Sequence, residues 1–349
     1  MKTKKRRNAL ITYGIIIAAF LVVQSMLNSG RLSSLMKGLL VPICVYVVLA
    51  VSLNLVVGIS GELSLGHAGF MCVGAFSGAF FSKCMQESLT IAPLRFALAI
   101  VIGALVAALF GLLIGIPVLR LKGDYLAIVT LAFGEIIKNV MNIFYIGRDS
   151  AGFHMSVKDQ FSLGMEPTGK VIVSGPMGIT GTPKDASFAA GVILILVVLF
   201  IVQNLIDSRS GRAIMAIRDN RIAAESVGLN VTSFKLMAFT LSAAMAGAAG
   251  TLYAHNLATL QAKKFDYNTS ILALVFVVLG GIGNIRGSVI AAVVLYALPE
   301  MLRGTDKYRM LIYSVVLIVM MLFNWSPKFL EWRERHFGRF FRRKTKGGE

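Results

Sequence analysis

The sequence predicts an all-α polytopic membrane protein with about ten transmembrane helices. Three observations predict it. Of the 349 residues 56% are hydrophobic, and the mean hydropathy is +0.75; ordinary soluble domains do not reach this. The apolar residues come in runs of about 20, the length that crosses a hydrocarbon core of about 30 Å. Within the runs apolar and polar residues do not alternate, as they would in the strands of a membrane β-barrel.

The elements follow in order. The run 9–27 comes after a basic start. It is longer than the apolar region of a signal peptide and lacks a small-x-small cleavage site, so it reads as a retained span. Runs at 35–57, 65–82, 94–117 and 125–146 follow. The stretch 147–186, with Gly, Pro and scattered polar residues, is the longest external loop. Runs at 187–206, 233–255, 269–283, 286–302 and 308–325 complete the set. Residues 1–349 form one transmembrane domain, with no soluble domain set apart. Glycine blurs the boundaries near 58–82 and 269–302.

The formal net charge of +18 does not point to nucleic acid, because the charge sits at membrane flanks. Lys2, Lys4, Lys5, Arg6 and Arg7 precede the first run; Arg333, Arg335, Arg339, Arg342, Arg343, Lys344 and Lys346 follow the last. Such flanks fix orientation and lie against anionic lipid. With the N-terminus in the cytosol, ten crossings return the C-terminus there, together with 118–124 and 207–232. More than half of the 35 Lys and Arg then lie inside, as the positive-inside rule requires.

No cofactor or metal is expected. Cys44, Cys72 and Cys84 are odd in number, lack metal-ligand spacing, and read as small apolar packers. No Ser/His/Asp, Cys/His or paired-carboxylate arrangement stands out. GMEPTGKV (164–171) approaches a phosphate-binding loop, but Val171 has no hydroxyl for magnesium and no strand-then-helix frame surrounds it. The chain is therefore expected to have no ATP site of its own; if transport is powered by ATP, another subunit must bind it.

The most informative stretch is 207–232, an amphipathic, arginine-bearing island between two apolar runs. Ala223–Ala224–Glu225 followed by Gly228 reads as a helix ended by glycine. A helix on the membrane face suits contact with a soluble partner. SGELSLGHAGF (60–70) puts three glycines, two serines, Glu62 and His67 beside membrane-depth sequence. It reads either as a broken helix lining a path or as a tight hairpin, with His67 as a satisfied packing histidine. Glu135, Lys138, Asn139 and Asn142 share a helical face. They form either a polar wall of the path or an internal ion pair. The small residues Gly74–Gly78, Gly111–Gly115, 242–250 and 280–287 read as close helix packing, with a break or re-entrant turn also expected at 280–287.

Together these motifs resemble the permeases of branched-chain amino acid ATP-binding-cassette importers, in their LivM-type subunit. The resemblance is carried by 60–70, GDYLAIVTLAFGEII (123–137), GPMGI (175–179), 210–239, VLGGIGNIRGSVIAA (278–292) and LPEMLR (298–303). It implies the importer permease fold in a bacterial inner membrane. It implies a heterodimer with a second homologous permease, two cytosolic ATPases and an extracytoplasmic binding protein. The segment matching 213–230 is then the coupling helix, and Arg218, Asp219, Ala223, Ala224, Glu225 and Gly228 are expected to engage the ATPase. The E-A-A-x3-G signature of importer permeases stands here in variant order. Ser64, Gly66, His67, Gly69, Phe70, Thr130, Glu135 and Asn139 are expected to line the path of an apolar zwitterion. Permeases for urea or short amides share these features. A stand-alone carrier has no need of the 207–232 island, and a scaffold without transport has no need of Glu135.

Overall fold

Each apolar run folds as a helix, because a segment in hydrocarbon must satisfy its backbone N–H and C=O groups internally. The computed structural model describes residues 2–30, 33–120, 124–149, 152–165, 169–302 and 308–325. The ten runs become α1 (Lys2–Asn28), α2 (Ser34–Asn54), α3 (His67–Cys84), α4 (Ala92–Val118), α5 (Asp124–Ile143), α6 (Phe188–Asp207), α9 (Val231–Ala254), α10 (Tyr267–Gly280), α11 (Ile285–Met301) and α12 (Arg309–Trp325). The polar island folds as α7 (Arg209–Asp219) and α8 (Arg221–Ser226). The cluster Arg333 to Lys346, Lys122 and the centre of 164–171 lie outside the described residues.

Among the described residues, 5 helices are long and apolar enough to cross a membrane: α2 with its continuation to Ser60, α4, α5 from Tyr125, α6 and α9. The described apolar part of α1, Thr12–Asn28, is shorter, and α10 and α11 have 14 and 17 residues. The chain is thus a mostly helical, multi-pass membrane protein. The count of about ten crossings rests on the sequence pattern.

α3 is the centre of the bundle. Every residue from His67 to Phe76 is buried, as befits a helix apolar all round. α9, α4 and α5 pack around it. Small residues set the separation: a Cβ at Gly74 would lie 2.2 Å from the Cα of Gly247, and one at Gly250 2.0 Å from the Met71 carbonyl oxygen. α3 and α9 therefore meet backbone to backbone. Leu98, Val101, Leu105, Leu109 and Leu112 form an exposed stripe on the outer side of α4.

The all-α expectation needs one correction. Between α5 and α6 lie β1 (Tyr145–Arg148), β2 (Phe153–Ser156), β3 (Lys170–Ser174) and β4 (Ile179–Thr180), and β5 (Thr259–Leu260) follows α9. β2-β1-β3 form an antiparallel sheet, and β4 pairs with β5. The run 125–146 leaves its helix at Ile143 because Tyr145 and Ile146 pair across this sheet. The bundle holds the strands in place: Lys83 Nζ, in the last turn of α3, donates to the carbonyl oxygens of Val171, Ile172 and Thr180 at 3.3, 3.4 and 2.9 Å. GPMGI is the turn from β3 to β4. A Cβ at Gly178 (φ +69) would lie 1.8 Å from the Leu260 carbonyl oxygen. The stretch 164–171 leads into strand β3 and not into a helix, and Lys170 pairs with Glu87 at 2.9 Å. That hydrogen bond holds the Glu87 carboxyl below its ordinary range.

These strands, Lys83 and β5 mark one end of the bundle. The α2–α3 connection, α7 and the α10–α11 turn meet at the other.

Candidate functional site

α2 does not end cleanly at Asn54. It widens into a π-turn, Leu55–Ser60, closed by Gly61 at φ 75. The chain is then non-helical until α3 begins at His67. Single π-turns concentrate at functional sites. The local cause lies in Asn54 and Gly58. Asn54 is fully buried; its Oδ1 accepts from Gly283 N at 2.9 Å and its Nδ2 donates to Ser288 Oγ at 2.8 Å. A Cβ at Gly58 would lie 2.3 Å from Gly283 N. The π-turn that precedes 60–70 and the glycine cluster at 278–289 are therefore one assembly. The cluster makes the turn between α10 and α11, with Gly281 and Gly283 at φ 94 and 80.

The expected path residues fall into two groups. Gly66 and Gly69 press on α5: their Cβ atoms would lie 2.2 Å from the Thr130 carbonyl oxygen and 2.7 Å from the Gly134 Cα. Thr130 Oγ1 accepts from Leu65 N at 3.1 Å and donates to the Ala127 carbonyl at 3.0 Å. Ser270 Oγ, on α10, accepts from Ala68 N at 2.9 Å. Phe70 is buried among His67, Phe133 and Phe239. Ser64 is buried and its Oγ has no partner. In the second group, Glu135 pairs with Lys138, and both side chains are partly exposed. Asn139 lies on the exposed side of α5.

His67 holds three helices together. Its Nε2 lies 3.1 Å from both Ser52 Oγ on α2 and Ser242 Oγ on α9. Ser52 Oγ donates to the Leu49 carbonyl and Ser242 Oγ to the Ser52 carbonyl. The ring is thus tied to α2 and α9 through one nitrogen, while Nδ1 is buried without a partner.

The island is two helices hinged at Asn220, whose Oδ1 caps α8 by accepting from Ala223 N at 3.0 Å. Gly228 sits at φ +83. Its N–H reaches the Glu225 carbonyl at 3.0 Å and Leu229 N–H the Ala224 carbonyl at 3.1 Å, the bond pair of a Schellman ending. Ala224 is buried, Ala223 is exposed, and Glu225 pairs with Arg221 at 2.9 Å. Ile222 and Val227 are 79% and 75% exposed. Arg218 holds Asp219 Oδ1 at 2.9 Å and donates from Nη1 to the Gly58 carbonyl at 2.8 Å. Beside it, Lys235 on α9 pairs with Glu62. Sequence reading assigned no role to Asn54, Lys235, Ser270 or Ser288. Asn54 alone left a signal, as a lone amide at the end of an apolar run.

The family described as branched-chain amino acid transport system / permease component matches residues 35–323. The chain belongs to it. This permease is 36% identical to the high-affinity branched-chain amino acid transport system permease protein LivM of Salmonella typhimurium over 293 residues, 81% of this chain and 67% of that protein. It is 21% identical to LivH, a permease protein of the same named system in the same organism, over 79% of this chain and 89% of that one. It is also 26% identical to the ribose import permease protein RbsC of Haemophilus influenzae, over 79% and 80%. No solved structure matches. The match to the family takes in the π-turn, the broken segment, the island and the α10–α11 turn, so all parts of the assembly lie in the permease component itself.

Proposed function

We propose that this chain is the translocating subunit of an importer for branched-chain, hydrophobic amino acids in a bacterial inner membrane. It works with a second, homologous permease, two cytosolic ATPases and an extracytoplasmic binding protein. The observation that carries this reading is the form of the island. One side of α7–α8 is tied to the π-turn through Arg218, and the other presents the bare apolar side chains of Ile222 and Val227. On this reading these two exposed side chains belong to the surface that meets the ATPase. ATP is hydrolysed on the docked subunit, and the permease supplies the path.

The second permease is supported by α5. Tyr125, Ile128, Val129, Ala132, Ile136, Asn139 and Ile143 are exposed along one side, and the Glu135–Lys138 pair is partly so. An amide and an ion pair facing hydrocarbon are costly. A homologous partner covers this side, and substrate moves along the seam, with the start of α3 at Gly66–Phe70 packed behind α5. Apolar span surfaces accept the aliphatic side chain, and selectivity rests mainly with the binding protein. Both termini lie in the cytosol.

Affinity purification in detergent of the permease co-expressed with its ATPases and the second permease tests this reading. All subunits are expected to co-elute, and Ile222→Asp with Val227→Asp is expected to release the ATPases alone. Leucine uptake by this chain without any ATPase would overturn the assignment.

A further inference from the structure

Glu62 and Lys235 form an ion pair in which each side chain is 14% exposed. They are 173 residues apart in the chain. Glu62 belongs to the broken segment, and Lys235 to the first turns of α9. A second link lies beside the first: Arg218 Nη1 to the Gly58 carbonyl at 2.8 Å. Arg218 also packs along Gly61, where a Cβ would lie 2.6 Å from its Cγ. The two links grip both ends of one short stretch, 58–62, between α7 and α9.

That stretch joins the π-turn to the run leading into α3. Gly61 at φ 75 gives it a conformation other residues resist. Its surroundings are held by neutral hydrogen bonds: Asn54 to Gly283 and Ser288, Leu65 to Thr130, and Ala68 to Ser270. The grip on 58–62 uses charged side chains, and one of these, Arg218, sits on the island. A partly buried ion pair costs more to break from one side than an exposed one, because the remaining charge loses its partner. The stretch 58–62 lies between the end of α2 and the four non-helical residues 63–66 that lead into α3, so it is placed to pass movement to Gly66–Phe70. Packed elements of this kind switch between discrete arrangements.

We propose that Glu62–Lys235 and Arg218–Gly58 form a clamp on residues 58–62 that releases in each transport cycle. The clamp passes movement of α7–α8 to the start of α3. Glu62 and Lys235 are positioning residues and touch no substrate. The proposal rests on the reading of 207–232 as the coupling segment.

The test uses the complete importer in proteoliposomes with binding protein and leucine, in a Cys84→Ser background; Cys44 and Cys72 are buried. Glu62→Cys with Lys235→Cys is bridged by a bifunctional methanethiosulfonate reagent. Bridging is expected to cut uptake by about tenfold or more, about 1.4 kcal/mol or more, with the ATPases still co-eluting and uptake restored by a thiol reductant. Unchanged uptake in the bridged complex would make the pair a static brace and overturn the clamp. In parallel, Glu62→Lys and Lys235→Glu are each expected to lose uptake, and the double reversal to recover it. Equal loss in the single and double reversals overturns the pairing. ATPases that fail to co-elute with the unmodified chain would instead sink the coupling reading, and that result is scored before any variant is made.

Discussion

Arg218 Nη1 donates to the Gly58 carbonyl oxygen across 2.8 Å, joining the polar island to the π-turn 160 residues earlier in the chain. A helix end leaves carbonyls unpaired, and a cation there is favoured by both the orphan acceptor and the helix dipole. The same guanidinium holds Asp219 Oδ1 through Nε and Nη2 at 3.0 and 2.9 Å. The planar fork makes these contacts at once.

Arg218→Lys is therefore not a conservative change. One ammonium cannot reproduce the fork, and a hydrogen bond from a charged donor contributes about 1.5–3 kcal/mol. Leucine uptake in proteoliposomes is expected to fall about tenfold or more, with the ATPases still bound. Uptake at the unmodified rate would separate Arg218 from coupling.

Gly228 stands at φ +83 with nothing within 4 Å of where a Cβ would be. The cost of a side chain there is conformational and not steric, about 1 kcal/mol for most residues. Gly228→Val is expected to weaken ATPase co-elution while membrane insertion is unchanged. Gly228→Asn, which tolerates the left-handed region better, is expected to lose less. Equal binding by all three would show that the Schellman ending is not read by the partner.

Gly74 and Gly247 face each other across the α3–α9 crossing, and each excludes a Cβ by contact with backbone or a methyl group. Gly74→Leu is expected to force the helices apart and lower the melting temperature in detergent by several degrees. Leu105→Ala, on the exposed stripe of α4, is expected to leave it unchanged. Scanning fluorimetry of the purified chain compares the two.

Much of this architecture was legible because hydropathy alone writes it. The runs locate the helices, and glycine marks where 60–70 and 280–287 leave regular structure. Gly228 was legible because a left-handed helix ending has a local signature. What stayed hidden depends on partners distant in sequence. Nothing near Glu62 announces Lys235, and nothing near Asn54 announces Gly283. The strands were missed for a different reason: two to five residues carry too little alternation to read, and Lys83 and β5 help fix them from elsewhere. The island gave no sign of its hinge, since Asn220 acts as a cap only once the chain has turned.

Topology is expected to follow the exposure of two side chains at opposite ends of the bundle. Ile222 is 79% exposed on α8, and Phe161 is 96% exposed between β2 and β3. In sealed cells, Phe161→Cys is expected to react with an impermeant thiol reagent added outside. Ile222→Cys is expected to react only after permeabilisation. The reverse pattern would invert the orientation and place the island outside.

The path is tested where α3 meets α5. At Gly66 a Cβ would lie 2.2 Å from the Thr130 carbonyl oxygen, so Gly66→Leu must push α5 away from the start of α3. Uptake is expected to fall strongly, but packing damage could do the same, and a second site separates the causes. Glu135 and Lys138 neutralise each other on α5. Glu135→Ala leaves Lys138 unpaired, a larger insult than removing both charges. Glu135→Gln with Lys138→Met keeps volume and neutrality, so assembly with the ATPases and the second permease is expected to survive. If the pair lines the path, leucine uptake by this double variant falls while co-elution holds. If the pair is only an internal tie, the double variant transports leucine at the unmodified rate. In that case the seam along α5 is not the path, and Gly66 and Gly69 serve packing alone.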